Sequence, residues 1–267
     1  MKNLAGKRIL LTGAGGGIGS VIARQLTKLK AIVLMVDVSE VALQTLAEET
    51  GQPFKTCDLG DAESRADLVR WVDDQFGGLD ALVQCAGLMA FGLHDAQSDE
   101  QIERLLRINL VAPMQLTRAF LPLLEKGISP VIVNLGSVFG HIGFPGFSLY
   151  SASKFGLHGY TEALRRELSD GPVRVAWISP RATRTAMNTG VIERMNTELK
   201  VNTDGPESVA AMVVKTIAQP SRDKVLGFPE KFFARINQVF PGVVDGSLVK
   251  QLPVIRKYNE YQKESLS

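Results

Sequence analysis

A tyrosine, a lysine and a serine lie close enough along the chain to share a proton-transfer site. Tyr150 and Lys154 are four residues apart, and Ser137 precedes Tyr150 by thirteen. Residues four apart lie on one face of a helix, so the ammonium would stand beside the phenol. A nearby cation favours the ionised phenol, whose ordinary pKa is about 10. We therefore expect Tyr150 to have a lowered pKa and to act as general acid or base on an alcohol or carbonyl compound.

A glycine-rich run near the start of the chain predicts a nucleotide-binding turn. It reads TGAGGGIG over residues 12–19, between an apolar segment at 9–11 and a helix-like segment at 21–26. Glycines between a buried strand and a helix let the backbone approach a diphosphate and direct the helix amides at its charge. The spacing is TGxxxGIG, which matches neither GxGxxG nor the GxxxxGK[ST] loop of nucleoside triphosphatases.

Together with Asn109, these residues resemble the motifs of the short-chain dehydrogenase/reductase family. The resemblance covers roughly residues 5–228 and implies hydride exchange between a substrate and a nicotinamide cofactor. It implies that Tyr150 exchanges a proton with the substrate oxygen and that Ser137 polarises that oxygen. Lys154 would lower the Tyr150 pKa and bind the nicotinamide ribose. The side chain of Asn109 would hold a water that links Lys154 to solvent.

An acidic residue at the end of the second apolar run indicates which cofactor is used. Asp37 lies about twenty positions after the glycine loop, where a carboxylate binds both ribose hydroxyls and repels a 2′-phosphate. The alternative is a helix cap, for which Ser39 is better placed. We expect NAD rather than NADP. The resemblance implies a cofactor site that comprises Gly13, Gly15, Gly17, Ile18, Gly19, Asp37, Asp58, Leu59, Ala86, Gly87, Tyr150, Lys154, Pro180, Thr183 and Thr185. For Asp58 the alternative is a cap near Asp61.

Two positions depart from the usual pattern of that family. Residues 84–87 read QCAG where NNAG is usual, and Arg181 stands where glycine usually follows Pro180. Because the second amide is replaced by the thiol of Cys85, we expect some loss of local rigidity rather than of cofactor binding. Arg181 either stiffens its loop or reaches toward an acidic substrate group, and as a solvated charge it would need neither role.

The residues expected around the nicotinamide are apolar, which indicates a hydrophobic secondary alcohol or its ketone as substrate. The predicted pocket residues are Met89, Phe91, Phe139, Phe144, Phe147, Met187 and Val191. The alternative is that some of these side chains belong to the core or to a subunit contact. His141 is near Ser137 in sequence, but without a carboxylate partner it is interpreted as a hydrogen-bonded turn residue.

Length and patterning place these motifs in one α/β domain. Apolar runs without alternation, typical of strands buried on both faces, are separated by helix-length segments and occupy residues 9–12, 31–37, 54–58, 79–84, 131–136, 173–179 and 224–228. Ser39, Asp61 and Ser98 are predicted helix caps. We predict a Rossmann-type, doubly wound, parallel sheet of seven strands over residues 1–228, followed by a helical extension over 229–267.

Composition excludes several other classes of protein. The chain has 267 residues and a net charge of +2 from 30 basic and 28 acidic residues, so nucleic acid is not an expected partner. Cys57 and Cys85 lie in no CxxC or Cys/His cluster, so we expect neither a disulfide nor a metal site. No secretory signal or membrane-spanning run is visible. We expect a cytoplasmic protein.

The extension carries apolar residues at helical spacing, and three interpretations of it stay open. Phe232, Phe233, Ile236, Val239 and Phe240 recur with the period of an amphipathic helix. The segment either caps the pocket or contacts a second subunit, anchors the protein peripherally to a membrane or lipid surface, or is a structural tail. The family resemblance also implies a homodimer or homotetramer that pairs through the Tyr150 helix.

Two other functions compete with the dehydrogenase hypothesis. The first is a dinucleotide-binding sensor in which Ser137, Tyr150 and Lys154 no longer catalyse; the intact set argues against it. The second is epimerisation or dehydration, and family members of those kinds generally have a longer substrate domain than this length permits.

Overall fold

Seven strands form one parallel sheet in the computed structural model, which describes residues 4–188, 190–221, 223–225, 227 and 230–266, with the backbone alone at 230, 231 and 263–266. The strands are β1 (Arg8–Thr12), β2 (Ile32–Asp37), β3 (Phe54–Thr56), β4 (Ala81–Gln84), β5 (Val131–Leu135), β6 (Arg174–Ser179) and β7 (Asp223–Val225). Their spatial order is β3-β2-β1-β4-β5-β6-β7. The predicted Rossmann-type, doubly wound sheet is confirmed.

Eleven α-helices accompany the sheet in the part of the chain that the structure describes. They are α1 (Gly17–Lys28), α2 (Glu40–Thr50), α3 (Ala62–Phe76), α4 (Asp99–Leu106), α5 (Ala112–Glu125), α6 (Ser148–Glu167), α7 (Val191–Glu198), α8 (Pro206–Ala218), α9 (Glu230–Val239), α10 (Pro241–Val249) and α11 (Leu252–Leu266). The predicted caps are confirmed: Ser39 and Asp61 accept backbone N–H bonds, and Ser98 forms a capping box with Gln101.

The strands are buried on both faces, which explains their unbroken apolar sequences. Ile9 and Leu11 pack toward α1, α2 and α8, whereas Leu10 between them packs toward α3 and α5. Successive strand residues point to opposite faces of the sheet, and helices cover both faces. The side chains of Ile9, Leu10 and Leu11 therefore all lie in the core. Burying each such side chain contributes about 1.5–3 kcal/mol, which makes the sheet a rigid platform for its loops.

The observed elements differ from the predicted ones mainly at their ends. The last strand was predicted at 224–228, but β7 ends at Val225, and residues 226 and 228 lie outside the described residues. The predicted boundary between residues 228 and 229 also falls there. Asn109 lies in a π-helical turn, Arg107–Val111, between α4 and α5 rather than in a regular helix.

The extension folds back onto the sheet domain as three helices. Ala234 of α9 and Val244 of α10 are buried against Val138 and Ile142, which follow β5. Ile255 of α11 packs in an aromatic cluster with side chains from the loops after β4 and β5. Of the helices described, none is both long enough and apolar enough to cross a bilayer.

Candidate active site

The turn between β1 and α1 leaves room for close approach to its backbone. Gly13 has φ +69°, and a Cβ there would lie 2.7 Å from the backbone of Ala86. A Cβ on Gly19 would lie 2.0 Å from the carbonyl oxygen of Gly13. Only glycine fits either position. The predicted glycine loop therefore packs directly against the residues that follow β4.

These residues fit a dinucleotide at the carboxyl edge of the sheet. The N-cap of α1 is Gly16, which offers no side-chain acceptor, and the first turn of α1 contains no acidic residue. Its amides and its positive dipole end are therefore free for a diphosphate. β1 lies between β2 and β4, at the point where the strand order reverses and where doubly wound sheets bind nucleotides.

Asp37 holds the glycine loop in place. One carboxylate oxygen accepts a hydrogen bond from the Gly15 N–H at 2.9 Å, and the other accepts from the Ser39 N–H at 3.1 Å. Ser39, rather than Asp37, caps α2 by accepting from the Ala42 N–H. The Asp37 carboxylate thus lies beside the glycine loop, at the position that we predicted to bind the cofactor ribose.

The remaining predicted cofactor residues fall into two groups. Ile18, Gly87, Pro180, Thr183 and Thr185 line the main cavity. Asp58 is exposed, and its carboxylate accepts from the Gly60 N–H at 2.7 Å, while Leu59 is buried. Asp61, not Asp58, caps α3. The adenine contact assigned to Asp58 and Leu59 stays a prediction.

Ser137, Tyr150 and Lys154 meet at the cavity between β5 and α6. Ser137 follows β5 and hydrogen-bonds Tyr150, and both side chains line the cavity together with Lys154. The Lys154 Nζ donates to the Leu135 carbonyl oxygen at 3.1 Å and lies 5.7 Å from the centre of the Tyr150 ring. The predicted set is therefore assembled around one space.

The pKa of Tyr150 differs from our prediction. Burial raises it to about 12, and the hydrogen bond with Ser137 opposes that rise only in part. Burial also lowers the pKa of Lys154 to about 8, because the interior disfavours the ammonium. The prediction of a lowered Tyr150 pKa is therefore wrong in this structure, because desolvation of the buried phenol is the largest cause of its shift.

Asn109 joins the Tyr150 helix to the loop after β4. Its amide donates to the Leu88 carbonyl oxygen at 2.8 Å and to the Ser153 Oγ at 3.2 Å, and its Oδ1 accepts from the Leu88 N–H at 2.7 Å. Both N–H donors are therefore used. The predicted relay water would therefore bind the Asn109 side chain only through the second lone pair of its Oδ1.

The QCAG departure is compensated by its first residue. The Gln84 amide donates to the Asn134 Oδ1 at 3.0 Å and to the Thr117 Oγ1 at 2.9 Å, so it ties β4 to β5 and α5. Asn134 in turn donates to Thr161 on α6. We expected some loss of rigidity from Cys85, but this buried network supplies the cross-strand tie. Burial raises the pKa of the Cys85 thiol to about 12.

Arg181 stiffens its loop. Its guanidinium pairs with Asp204 at 2.7 Å, and both side chains are less than one-fifth exposed. Thr183 forms an isolated parallel bridge with Asp204, so the two segments are joined by backbone and side chain. The structure therefore supports the predicted role of Arg181 in stiffening its loop.

The cavity has a volume of about 470 Å³ and a mainly apolar wall. Five predicted pocket residues line it: Met89, Phe139, Phe144, Phe147 and Met187. Phe91 and Val191 were also predicted, but the structure buries both in the cluster around Ile255. On α7, Val191 faces the buried cluster, whereas Ile192, the next residue, faces the cavity. The prediction thus named a residue one position before the one that lines the cavity.

Part of the cavity wall was missed by sequence reasoning. Phe233, Val244, Ser247, Leu248 and Gln251 come from the extension, and Asn188, Asn196, Lys200, Val201 and Asn202 come from the segment around α7. The helical spacing of Phe233 predicted a helix but not the surface that it covers. The cap is thus the interpretation of the extension that the cavity wall supports.

Two other groups of titratable side chains have structural explanations. His141 is buried, its Nε2 lies 2.9 Å from the Ser179 Oγ, and burial lowers its pKa to about 4; the predicted hydrogen-bonded turn residue is confirmed. His158, Glu162 and Asp223 bring their potential metal ligands within 4.8 Å of one another. Arg165 already pairs with Asp223, so a cation there would have to displace a guanidinium.

Comparisons with known proteins identify the family of the chain. The family model described as short chain dehydrogenase matches residues 7–196. The chain is 33% identical over 261 residues to the ketoacyl reductase HetN of Nostoc sp., covering 92% of this chain and 89% of that protein. It is 32% identical over 200 residues to retinol dehydrogenase 7 of Mus musculus, covering 73% and 62%.

A solved structure shows the same fold. It is a short chain dehydrogenase/reductase from Burkholderia phymatum in complex with NAD, with a TM-score of 0.81 and 22% identity, covering 89% of this chain and 95% of that one. The glycine loop, the assembled serine, tyrosine and lysine, and the matched family model lead to one conclusion. The chain belongs to the short chain dehydrogenase family and is an oxidoreductase that binds a nicotinamide dinucleotide.

Proposed function

We propose that the protein interconverts a hydrophobic secondary alcohol and its ketone, with NAD as the preferred cofactor. One observation carries the proposal: Ser137, Tyr150 and Lys154 converge on an apolar cavity that also reaches Ile18 and Thr185 beside the glycine loop. Acid–base groups and a dinucleotide cradle therefore share one water-poor space. Bound NAD supplies the hydride acceptor of the alcohol, and NADH the hydride donor of the ketone, at the nicotinamide ring.

The chain's own residues hold and move the proton. A Tyr150 phenol with a pKa near 12 keeps its proton at neutral pH and donates it to the oxygen of a carbonyl substrate. In the opposite direction the Tyr150 phenolate accepts the hydroxyl proton of the alcohol and becomes the neutral phenol. Ser137, hydrogen-bonded to Tyr150, orients the same substrate oxygen. Lys154 would hold the nicotinamide ribose, and its positive charge would stabilise the Tyr150 phenolate, which is the base in alcohol oxidation and the product of proton donation in ketone reduction.

Asp37 supports the preference for NAD. Its carboxylate lies against the loop that precedes α1, and it would repel a 2′-phosphate while accepting hydrogen bonds from ribose hydroxyls. The hydroxyl of Thr185 would bond the nicotinamide carboxamide. A Cβ on Gly17 would lie only 2.9 Å from Thr185, so the loop after β6 lies directly over the start of α1.

The apolar wall supports a substrate with an apolar body. Phe139, Phe144 and Phe147 form a contiguous aromatic cluster with ring centres 5.1–6.0 Å apart. Two of the named relatives are a ketoacyl reductase and a retinol dehydrogenase, which are named for a carbonyl and for an alcohol substrate. This is consistent with the same type of chemistry here.

The test is nicotinamide absorbance during incubation with steroid, retinoid, long-chain and short-chain secondary alcohols and their ketones. Each substrate is assayed with NAD and with NADP, or with the reduced forms. We expect turnover of bulky apolar substrates and a higher kcat/KM with NAD. Better turnover with NADP would contradict the role of Asp37. Tight NAD binding by calorimetry, without turnover of any substrate in the panel, would favour the dinucleotide sensor instead.

We also propose a homodimer or homotetramer that pairs through α5 and α6. Val111 precedes α5, Met114 lies on α5 and Phe155 lies on α6, and all three side chains are exposed on the protomer. Analytical ultracentrifugation tests this directly. A monomer at all concentrations would contradict it.

A further inference from the structure

The charges in the cavity wall are all of one sign. Among the described residues that line the cavity, none is acidic, and the charged ones are Lys154, Arg181 and Lys200. Lys154 donates to the Leu135 carbonyl oxygen and belongs to the proton-transfer group. The Arg181 guanidinium pairs with Asp204. A cleft lined by one sign of charge attracts ligands of the opposite sign, and Lys200 is the cation that these roles do not use.

Lys200 has no charged partner in the part of the chain that the structure describes. The two acidic residues within four positions of it are Glu198 and Asp204. Glu198 accepts a hydrogen bond from Lys257 at 2.8 Å, and Asp204 pairs with Arg181. The Lys200 ammonium is therefore available for an anion that enters the cavity.

Lys200 lies where the cavity meets solvent, and neutral hydrogen-bond donors lie near it in sequence. Lys200 and Asn202 both line the cavity and are exposed, while Asn196 lines the cavity and is half-buried. The two amide side chains form no hydrogen bond with a described residue, and each offers two N–H donors. An anion bound here would keep part of its hydration, so its binding would not carry the full cost of burying a charge.

The cofactor does not account for Lys200. The diphosphate would bind the glycine loop, and of residues 12–19 only Ile18 lines the cavity. Lys200 follows α7, and the cavity residues that precede it, Ile192 and Asn196, lie on that helix. The anion expected at Lys200 is therefore part of the substrate.

We propose that Lys200 binds a carboxylate of the substrate, which makes the substrate an apolar hydroxy or oxo acid whose carboxylate lies away from the reacting carbon. This inference rests on the function proposed above and narrows its substrate class. The apolar wall around Phe139 and Phe144 takes the body of the acid, and Tyr150 meets its reacting oxygen. Two points of attachment then fix which carbon faces the nicotinamide.

The backbone at Lys200 allows the ammonium to be removed without harm to the fold. Lys200 follows the end of α7 with φ +55°, and the Val201 N–H donates to the Asn196 carbonyl oxygen at 2.8 Å. Glycine is the residue preferred in this left-handed position after a helix. Lys200→Gly therefore removes the charge and relieves the backbone, so the variant should be as stable as the unchanged protein.

Lys30 provides the matched control. It follows the end of α1 with φ +61°, it is exposed, and the Ala31 N–H closes that helix on the Leu26 carbonyl oxygen at 3.2 Å. Lys30 is not in the cavity wall. Lys30→Gly therefore makes the same change of residue in the same backbone geometry, away from the site.

The experiment compares straight-chain oxo acids of graded length with their methyl esters, each reduced with NADH by the full chain. The ester removes the charge and keeps the apolar body. For the preferred acid we expect Lys200→Gly to lower the ratio of ester KM to acid KM about fivefold, because one partly exposed ion pair is lost. Lys30→Gly should leave that ratio unchanged, and Lys200→Arg, which keeps a cation, should restore most of it.

Two outcomes overturn the proposal directly. The first is a ratio of ester KM to acid KM that stays the same in Lys200→Gly, or falls equally in Lys30→Gly. The second is a loss of NADH affinity in Lys200→Gly that equals the loss for the acid, which would assign the ammonium to the cofactor.

Failure of the carboxylate site and failure of the proposed function are distinguishable, because binding is read without turnover. Calorimetry measures a saturated fatty acid, which has no ketone, binding to the protein loaded with NADH. If this acid binds about fivefold more weakly to Lys200→Gly but no ketone is reduced, the carboxylate site stands and the proposed function fails. If acids and esters are reduced and Lys200→Gly affects both equally, the proposed function stands and the carboxylate site is wrong.

Discussion

The floor of the candidate active site and its roof are fixed by different interactions. The floor consists of Ser137 after β5, Tyr150 and Lys154 on α6, and Asn109 in the π-helical turn before α5. Buried hydrogen bonds hold these residues. The roof consists of α7, α9 and α10, which line the cavity, and of α11, which packs against α7. Glu198 of α7 accepts hydrogen bonds from Lys257 and Tyr258 of α11 at 2.8 and 2.9 Å, but this group is exposed to solvent.

This difference separates chemistry from substrate selection. Asn109 fixes α6 against Leu88, and Lys154 is anchored on Leu135, so floor atoms move only if core hydrogen bonds break. Exposed ion pairs contribute little because solvent and salt screen them. Apolar contacts therefore hold most of the roof, including those of Ile255 on α11 and Met195 on α7 in a cluster with Tyr150. Variants of the floor should change turnover, and variants of the roof should change substrate affinity.

The largest effect is expected for Tyr150→Phe. The change removes the phenolic hydroxyl and leaves the ring in the cluster with Phe139. Turnover should fall at least about a hundredfold, because the proton donor and acceptor is lost. NAD affinity by calorimetry should stay near its original value. Retained activity would contradict the proposed mechanism. A parallel loss of NAD affinity would show that Tyr150 also contributes to cofactor binding.

The floor was predictable because its signals are local. The glycine loop, the four-residue spacing of Tyr150 and Lys154, and the unbroken apolar strands each depend on a few consecutive residues. The pKa of Tyr150 was not predictable, because it depends on how deeply the folded chain buries the phenol. The rescue of QCAG by Gln84 was also missed, since its partner Asn134 lies on another strand.

The roof was predictable as helices, and its position over the cavity only as one of three alternatives. The spacing around Phe233 gave the existence of α9, but the surface that it covers depends on contacts between segments far apart in sequence. For the same reason Phe91 and Val191 were assigned to the cavity, whereas α11 buries them around Ile255. An apolar helix face predicts that the face is buried, but it does not predict which residues cover it.

A second, smaller effect concerns the charge of Lys154. Its pKa in the folded protein is about 8, against 10.5 ordinarily, so between these values the unfolded chain binds more protons. Stability therefore rises as pH increases from 8 to 10, by about 2–3 kcal/mol relative to Lys154→Met. The measurement is urea unfolding of both proteins across this range. Both proteins carry Cys85→Ala, because the Lys154 ammonium lowers the pKa of the Cys85 thiol and the two titrations would otherwise be coupled. Parallel curves would show that the ammonium is not buried as the floor requires.

The smallest effect is expected in the roof, for Asn259→Leu. Asn259 on α11 is buried, and its Oδ1 accepts from the Leu93 N–H at 2.8 Å, so it ties the last helix to the loop after β4. Leaving that N–H without a partner costs about 1–3 kcal/mol, which we expect to loosen the loop that carries Met89. KM for a bulky apolar substrate should rise several-fold, with kcat and NAD affinity little changed. Asn259→Gln keeps an amide oxygen as acceptor without adding a buried charge and should restore part of the affinity. If the Leu variant instead lowers kcat and NAD affinity together, α11 supports the floor as well, and the separation of floor from roof fails.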